Sequence, residues 1–251
     1  MQRLFLKIAV IFFSAVLSVS AFAGSFSDDQ KKEMEGLIHD YLIAHPEVLQ
    51  EMVQKLDAQQ KQAAADTRNT TLSSASKDIY HNELDGIAGN PKGDVTIVEF
   101  MDYNCGWCRK SIKEMQSVVT KDKNVRVVLK EFPIFGEGSE YAARAAMASV
   151  KQGKYWAFHQ ALFAQKGQVD ATVTDAVAKS VGLDVAKMKE DMKSPDIDAN
   201  INKTRELADQ LQFTGTPGFI VGDQVFPGYE EQDKILATIA STRANGGCKY
   251  C

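Results

Sequence analysis

Four cysteines stand in two pairs of equal spacing, Cys105-Gly-Trp-Cys108 and Cys248-Lys-Tyr-Cys251. With two residues between them, the second cysteine of a pair lies about one helical turn beyond the first and can reach back to it. Such a pair cycles between dithiol and disulfide. One cysteine attacks a substrate disulfide, or is attacked by a substrate thiol, and the other resolves the mixed disulfide. The setting of the first pair favours this chemistry. Val95-Thr-Ile-Val-Glu-Phe-Met101 reads as an apolar, β-branched strand, a short loop follows, and Arg109 to Val119 carries a helical pattern. Cys105 then falls where the helix begins, and there unpaired amides and the helix dipole favour an anion and lower the thiol pKa. Gly106 and Trp107 bring no charge; Arg109 could add thiolate stabilisation or be a solvated surface charge.

The second pair follows Gly246-Gly247, a flexible joint beyond the expected fold. A local tail disulfide, a link to another chain, an auxiliary thiol relay and soft-metal binding all fit its spacing and compartment. No third or fourth ligand stands nearby, and His39, His45, His81 and His159 lack ligand-like spacing, so no metal site and no cofactor are expected. Surface or capping roles are expected for those histidines.

The 251 residues are 44% hydrophobic and 25% charged, which fits a globular chain and excludes collagen, wholesale disorder or an all-helical membrane bundle. Four cysteines are too few for a disulfide-built scaffold of this size. The net charge of −4, with no dense Lys/Arg block, argues against nucleic acid as a partner.

Residues 1–23 read as a secretory signal. Arg3 and Lys7 supply the positive start, Ile8 to Val19 the short apolar run, and Ala21-Phe22-Ala23 the small-x-small cleavage pattern. Cleavage after Ala23 is expected, the alternative being an uncleaved anchor. The chain is then exported, to the periplasm of a bacterium. Removing Arg3 and Lys7 leaves 27 basic against 33 acidic residues, a net charge of −6. In an oxidising compartment a Cys-x-x-Cys pair is redox-active or disulfide-bonded rather than a zinc-ligand pair.

Residues 24–83 read as a helical arm and linker. Ser27-Asp28-Asp29 makes a helix start, Met34, Leu37, Ile38, Tyr41 and Leu42 form one apolar face, and His45-Pro46 interrupts it. Val48, Leu49, Met52, Val53 and Leu56 continue a stripe. The stripe packs either on the chain's own globular domain or, as favoured here, on another copy, giving a homodimer or homotrimer through residues 24–75. From about 84 to 247 the order is β-α-β, a helical block over about 139–210, a hairpin around Gly222-Asp223 and a closing helix from Glu231 to Thr242. Trp156, Phe158 and Phe163 are expected to fill the block's core. Residues 248–251 form a Cys-x-x-Cys tail.

Phe100-Met-Asp-Tyr-Asn-Cys-Gly-Trp-Cys-Arg-Lys110, with Thr214-Gly-Thr-Pro-Gly-Phe-Ile220 downstream, resembles the DsbA-like branch of the thioredoxin superfamily. The arm, with His45-Pro-Glu-Val-Leu49, resembles the subgroup that carries an oligomerising segment, including suppressor-of-copper-sensitivity protein C. The resemblance covers about residues 28–245. It implies an α/β thioredoxin fold with an inserted helical domain, preceded by an N-terminal helical arm. By the same resemblance Cys105 and Cys108 are the redox-active disulfide, Cys105 exposed and nucleophilic, Cys108 buried and resolving. Thr216-Pro217 resembles the cis-proline loop that lies against the disulfide and, with Gly106 and Trp107, would bind substrate. Glu99 stands where the superfamily places a buried acid near the inner cysteine, although an alternating strand residue could equally face solvent. Lys130 resembles the basic partner of that acid, or is an ordinary strand-end lysine.

Two departures bear on activity. Strong DsbA-type oxidants have histidine between the cysteines and valine before the cis-proline; here Gly106-Trp107 and Thr216 stand instead, as in the isomerase and reductase branches. A less stabilised thiolate makes a less oxidising disulfide. The expectation is an exported protein disulfide isomerase or oxidase, acting on client proteins with cysteines and recycled by a membrane redox partner. The alternatives are a client-binding chaperone or surface protein, and a copper-handling thiol protein, since thiolates suit Cu(I).

Overall fold

The computed structural model describes residues 26–251, so the expected signal segment and its cleavage point lie outside the described residues. The chain divides into two compact units, one ending at Asp57 and the other running from Ala58 to Cys251.

In the first unit, α1 (Asp28–Ala44) starts on a capping box: the Ser27 hydroxyl accepts from the Gln30 amide while the Gln30 side chain accepts from the Ser27 amide. The chain turns at His45-Pro46 into α2 (Glu47–Ser74). α1 has no buried residue, and Leu37, Ile38, Tyr41, Leu49, Met52 and Leu56 are all exposed. The boundary expected at residue 83 moves to Asp57, because the polar stretch after Gln59 continues α2 into the second unit. There Leu72, with Ile79 and Tyr80 of α3 (Ser76–Tyr80), is fully buried.

The second unit is built on five strands in the order β1-β3-β2-β4-β5. The strands are β1 (Gly86–Gly89), β2 (Val95–Met101), β3 (Val125–Glu131), β4 (Gly218–Val221) and β5 (Gln224–Phe226). β2 and β3 are parallel and joined by α4 (Gly106–Lys121); the other pairings are antiparallel. β2 is central and buried along its whole length, hence its run of β-branched and aromatic residues without polar alternation.

Alternation along the strands separates two cores. Val95, Ile97 and Met101 of β2 pack with Ile112, Met115 and Val118 of α4 and with Ile235 and Ile239 of α10 (Gln232–Ala244). The same cluster extends into the helical insertion: α5 (Glu137–Val150), α6 (Tyr155–Phe163), α7 (Ala171–Ser180), α8 (Val185–Asp191) and α9 (Pro195–Gln210). Val98 and Phe100 face the other way, onto Leu72, Ile79, Tyr80 and the Leu207 to Phe213 end of the insertion. Asp170, Asp184 and Ser194 cap α7, α8 and α9 with side-chain oxygens, the usual arrangement. α4 differs: its N-cap is Cys105.

Candidate active site

An N-cap side chain accepts hydrogen bonds from the amides of the first turn. Because a sulfur occupies that position in α4, those amides point at a thiol: the Cys108 N–H lies 3.4 Å from Cys105 Sγ. Cys105 and Cys108 are both free thiols, and the expected exposure of Cys105 is corrected: at the N-cap of α4 it is buried, like Cys108. The Cys105 thiol is pulled down to about 6, chiefly by a hydrogen bond from the Cys108 thiol, with the Thr216 side chain and the amides of Cys108 and Trp107 adding to it against the cost of burial. In its protonated form Cys105 donates to the Thr216 carbonyl at 3.1 Å. The Thr216 hydroxyl, buried without a hydrogen-bond partner, is free to turn its proton to the thiolate. The thiol of Cys108 moves the opposite way: burial first, then Cys105 and the Glu99 charge, push it well above its ordinary value. One turn of helix thus separates an acidic thiol from a reluctant one.

Pairing of β4 with β2 brings the second loop to this point. Phe100 lies opposite Gly218, so the cis Thr216–Pro217 bond falls just past the C-terminal end of β2, where Cys105 sits. Trp107 is exposed and its ring lies 5.1 Å from that of Tyr229, with the Lys110 ammonium 4.2 Å from the Tyr229 ring centre. Trp107, Thr214 to Pro217 and Pro227 to Tyr229 line a shallow groove of about 270 Å³. Gly106 is exposed on the first turn with open space over it and does not line the groove.

Glu99 is buried on the α4 side of β2 and accepts from Ser111 Oγ at 2.9 Å. Burial, with the Cys105 charge adding, raises its carboxyl to about 8. The solvent-facing alternative for Glu99 is therefore excluded. The expected partnership with Lys130 is corrected. Glu99 pairs across the strands with Leu129 and Phe100 with Lys130, so Lys130 projects from the opposite face of the sheet. Its ammonium lies 2.5 Å from Asp85 and donates also to the Asp78 carbonyl.

The strand residue on the Glu99 face near the site is Glu131, opposite Met101. It is buried and accepts from Tyr103 Oη at 2.9 Å and Tyr155 Oη at 2.7 Å. Tyr155 reaches it because residue 86 is glycine: a Cβ there would collide with the Tyr155 ring. Burial raises the Glu131 carboxyl well above the carboxylate range. His159 is corrected as well. It is fully buried, its Nδ1 lies 3.1 Å from Tyr103 Oη, and burial lowers its pKa to about 3.

Asp102 and Asn104 fix the loop that presents Cys105. The Asp102 carboxylate accepts from the amides of Asn104, Ile134 and Phe135 and from Ser139 Oγ. Asn104 donates to Ser139 Oγ and the Val169 carbonyl, both at 3.0 Å, and accepts from the Val169 amide at 2.7 Å. Arg109 donates to the carbonyls of Tyr103, Gln165 and Gly167, so it straps the insertion to α4 instead of facing the thiol. The sequence signal for Asp102 and Asn104 was their place between a buried strand and the first cysteine. For Glu131 it was the period of two along β3.

A DSBA-like thioredoxin domain family model matches residues 96–240, and a copper resistance protein ScsC N-terminal domain model matches residues 30–63. A thioredoxin-like oxidoreductase from Silicibacter pomeroyi is 43% identical, with a TM-score of 0.65, covering 67% of this chain and 97% of that one. Proteus mirabilis ScsC in a transitional conformation is 25% identical, with a TM-score of 0.64, covering 88% and 98%. Disulfide bond formation protein D of Bacillus subtilis is 25% identical over 165 residues, 61% of this chain and 74% of that protein. The chain spans only a quarter of another curated relative, the Na(+)/H(+) antiporter NhaA 1 of Salinispora arenicola, 26% identical over 164 residues, 64% of this chain. Its thiols at a helix N-cap, its cis-proline loop and its inserted helices place the chain in the DsbA-like thioredoxin-domain family.

Proposed function

We propose that the chain is an exported protein thiol–disulfide oxidoreductase with isomerase capacity, Cys105 being the nucleophile and Cys108 the resolving cysteine. The observation that carries this reading is the opposed acidity of the two thiols, about 6 at Cys105 and well above the ordinary value at Cys108. At neutral pH Cys105 is a thiolate. It attacks one sulfur of a client disulfide, a mixed disulfide forms and the other client sulfur leaves as a thiolate. Cys108 then gives its proton to Glu99 and attacks Cys105 Sγ. The bond between Cys105 and the client breaks, and the client sulfur that Cys105 held departs as a thiolate and is protonated, leaving Cys105–Cys108 oxidised and the client reduced. Run backwards, the same steps oxidise a client dithiol; run in both directions on one client, they rearrange its disulfides. The groove of Trp107, Thr216 and Pro217 suits an extended client segment beside the sulfur.

The exposed apolar face of the arm supports assembly into a homodimer or homotrimer, in keeping with the ScsC N-terminal match. Facing active sites would hold a misfolded client. We place the protein in the periplasm, recycled by a membrane redox partner. Refolding of scrambled ribonuclease tests the reading. The full chain recovers activity, Cys105→Ser abolishes it, and removal of residues 24–57, which leaves the buried Leu72 in place, lowers both the mass in solution and isomerase yield. Full client-folding by Cys105→Ser would instead make the protein a client-binding chaperone.

A further inference from the structure

The second cysteine pair has no part in that reaction, yet it is built into the fold. Cys248 and Cys251 are joined in a disulfide, and both are partly exposed. Asp223, in the turn between β4 and β5, holds the tail by accepting from the amides of Lys249 at 2.7 Å and Tyr250 at 3.2 Å. The Cys251 amide points at Cys248 Sγ from 3.0 Å, as the Cys108 amide points at Cys105 Sγ from 3.4 Å. In each pair, then, the first sulfur receives a backbone donor that suits a departing or attacking thiolate. Asp223 Oδ1 lies 3.3 Å from Cys248 Sγ, placed to accept a hydrogen bond from the Cys248 thiol once the bond has opened and the sulfur has been protonated.

Both sulfurs border a cavity of about 250 Å³ whose other walls include His81, Asp94, Thr96 and Arg126. Asp94 is engaged by Arg243 at 2.7 and 2.9 Å. Arg126 forms no ion pair within 4 Å among the described residues, the buried Asp85 acting on it only from farther off, and its guanidinium shares this cavity with the disulfide. We propose that Cys248–Cys251 is a second thiol–disulfide exchange site, one that takes small thiols bearing a carboxylate. The incoming thiolate, its carboxylate on Arg126, attacks Cys251 Sγ. The S–S bond breaks and Cys248 leaves as a thiolate on the Cys251 amide, then takes a proton. A second thiol attacks the mixed disulfide and releases Cys251 as a thiol. Two small thiols are oxidised to one disulfide and the protein pair is reduced to a dithiol. β2 separates this cavity from Cys105 by about 20 Å, so the site exchanges with external thiols and not with Cys105 of the same molecule.

The test uses the full chain carrying Cys105→Ser and Cys108→Ser, without denaturant. Reduced glutathione is expected to yield two alkylatable thiols and one oxidised glutathione per chain, followed by mass spectrometry. Arg126→Gln should slow the glutathione reaction roughly two- to fivefold, the scale of a partly exposed charge pair. The reaction with dithiothreitol, which has no carboxylate, should be unchanged, which also shows that the variant is folded. A disulfide that survives both reagents overturns the proposal, and so does an Arg126→Gln effect equal for the two. The Cys248→Ser/Cys251→Ser chain should keep its full Cys105 activity.

Discussion

Glu99→Gln isolates the energetic cost of placing an acid under the two thiols. The carboxyl is 2% exposed and held at about 8, against 4.5 for the free group. An unfolded chain therefore loses this proton near pH 4.5 while the folded chain keeps it until near pH 8. Between those values the folded state binds more protons, so its stability falls as pH rises, the opposite of the usual carboxylate. At about 1.4 kcal/mol per unit, roughly 2.5 units of the window are crossed by pH 7, a cost of about 3 kcal/mol. Glutamine has the same shape and its Oε1 can still accept from Ser111, so it removes the titration and little else. The assay is urea unfolding of wild type and variant under reducing conditions from pH 5 to 8. Cys105 and Cys108 titrate in both proteins and cancel in the difference, save for the part of their titration that depends on the Glu99 charge. The variant should be the more stable, by less than about 1 kcal/mol at pH 5 and about 3 kcal/mol at pH 7. A difference below about 0.5 kcal/mol throughout would mean the carboxyl ionises freely, and the argument from burial would fail. Resolution of a preformed mixed disulfide should slow in the same variant by about a hundredfold or more, the scale of a lost general base.

Alkylation of reduced Cys105 by iodoacetamide should follow a single titration near pH 6, with Cys108 untouched until the protein is unfolded; a midpoint near pH 9 would deny the Cys108 thiol, first, and the Thr216 side chain and the amides their role. Here the sign is reversed: the depressed thiol adds stability that is lost as pH falls through about 6. Lys130→Met strands Asp85 in the interior and should cost about 3–5 kcal/mol in denaturant unfolding, most of it regained in the Asp85→Leu/Lys130→Met pair. A stable but inactive Lys130→Met would return this lysine to the catalytic steps. Asn104→Ala removes three hydrogen bonds to the insertion and should cost about 1–3 kcal/mol, with faster amide exchange at Val169; unaltered exchange there would refute its bridging role.

Lys130 and Glu131 show where sequence reading reached its limit. The strands β2 and β3 were legible from their composition, and so was the placement of Cys105 at the head of α4. Which β3 residue shares a face with Glu99 depends on pairing register, a long-range property that a one-residue slip inverts. The register sets Leu129 beside Glu99, which puts Glu131 in the α4 core and Lys130 in the other. β1 was missed because Gly86-Ile-Ala-Gly89 is short and glycine-rich; its first glycine is there to admit the Tyr155 ring. His159 looked like a surface histidine because its partner, Tyr103, is 56 residues away and only the fold brings the two together. The end of the arm was misjudged for a related reason. The polar stretch before Arg68 looks like a linker, yet Arg68 donates to the Leu211 carbonyl and Leu72 enters the core behind it.

The two titrations at the site are coupled, and the coupling fixes the order of proton movement. Between about pH 6 and 8 the resting site holds a thiolate at Cys105 and a proton on Glu99. A protonated acid cannot accept the Cys108 proton. The Cys105 charge, however, is one of the causes that raise Glu99, and it disappears when Cys105 enters a mixed disulfide. Glu99 then becomes more acidic and loses its proton at the one stage where a base is required. Cys105→Ser imitates that stage by removing the charge. The Glu99 carboxyl, followed by carbon NMR, should titrate in Cys105→Ser below the value of about 8 it has in the reduced wild type, while staying above 4.5 because burial persists. An unchanged midpoint would show that the thiolate does not reach Glu99, and the base for Cys108 would have to be a water or a group of the client.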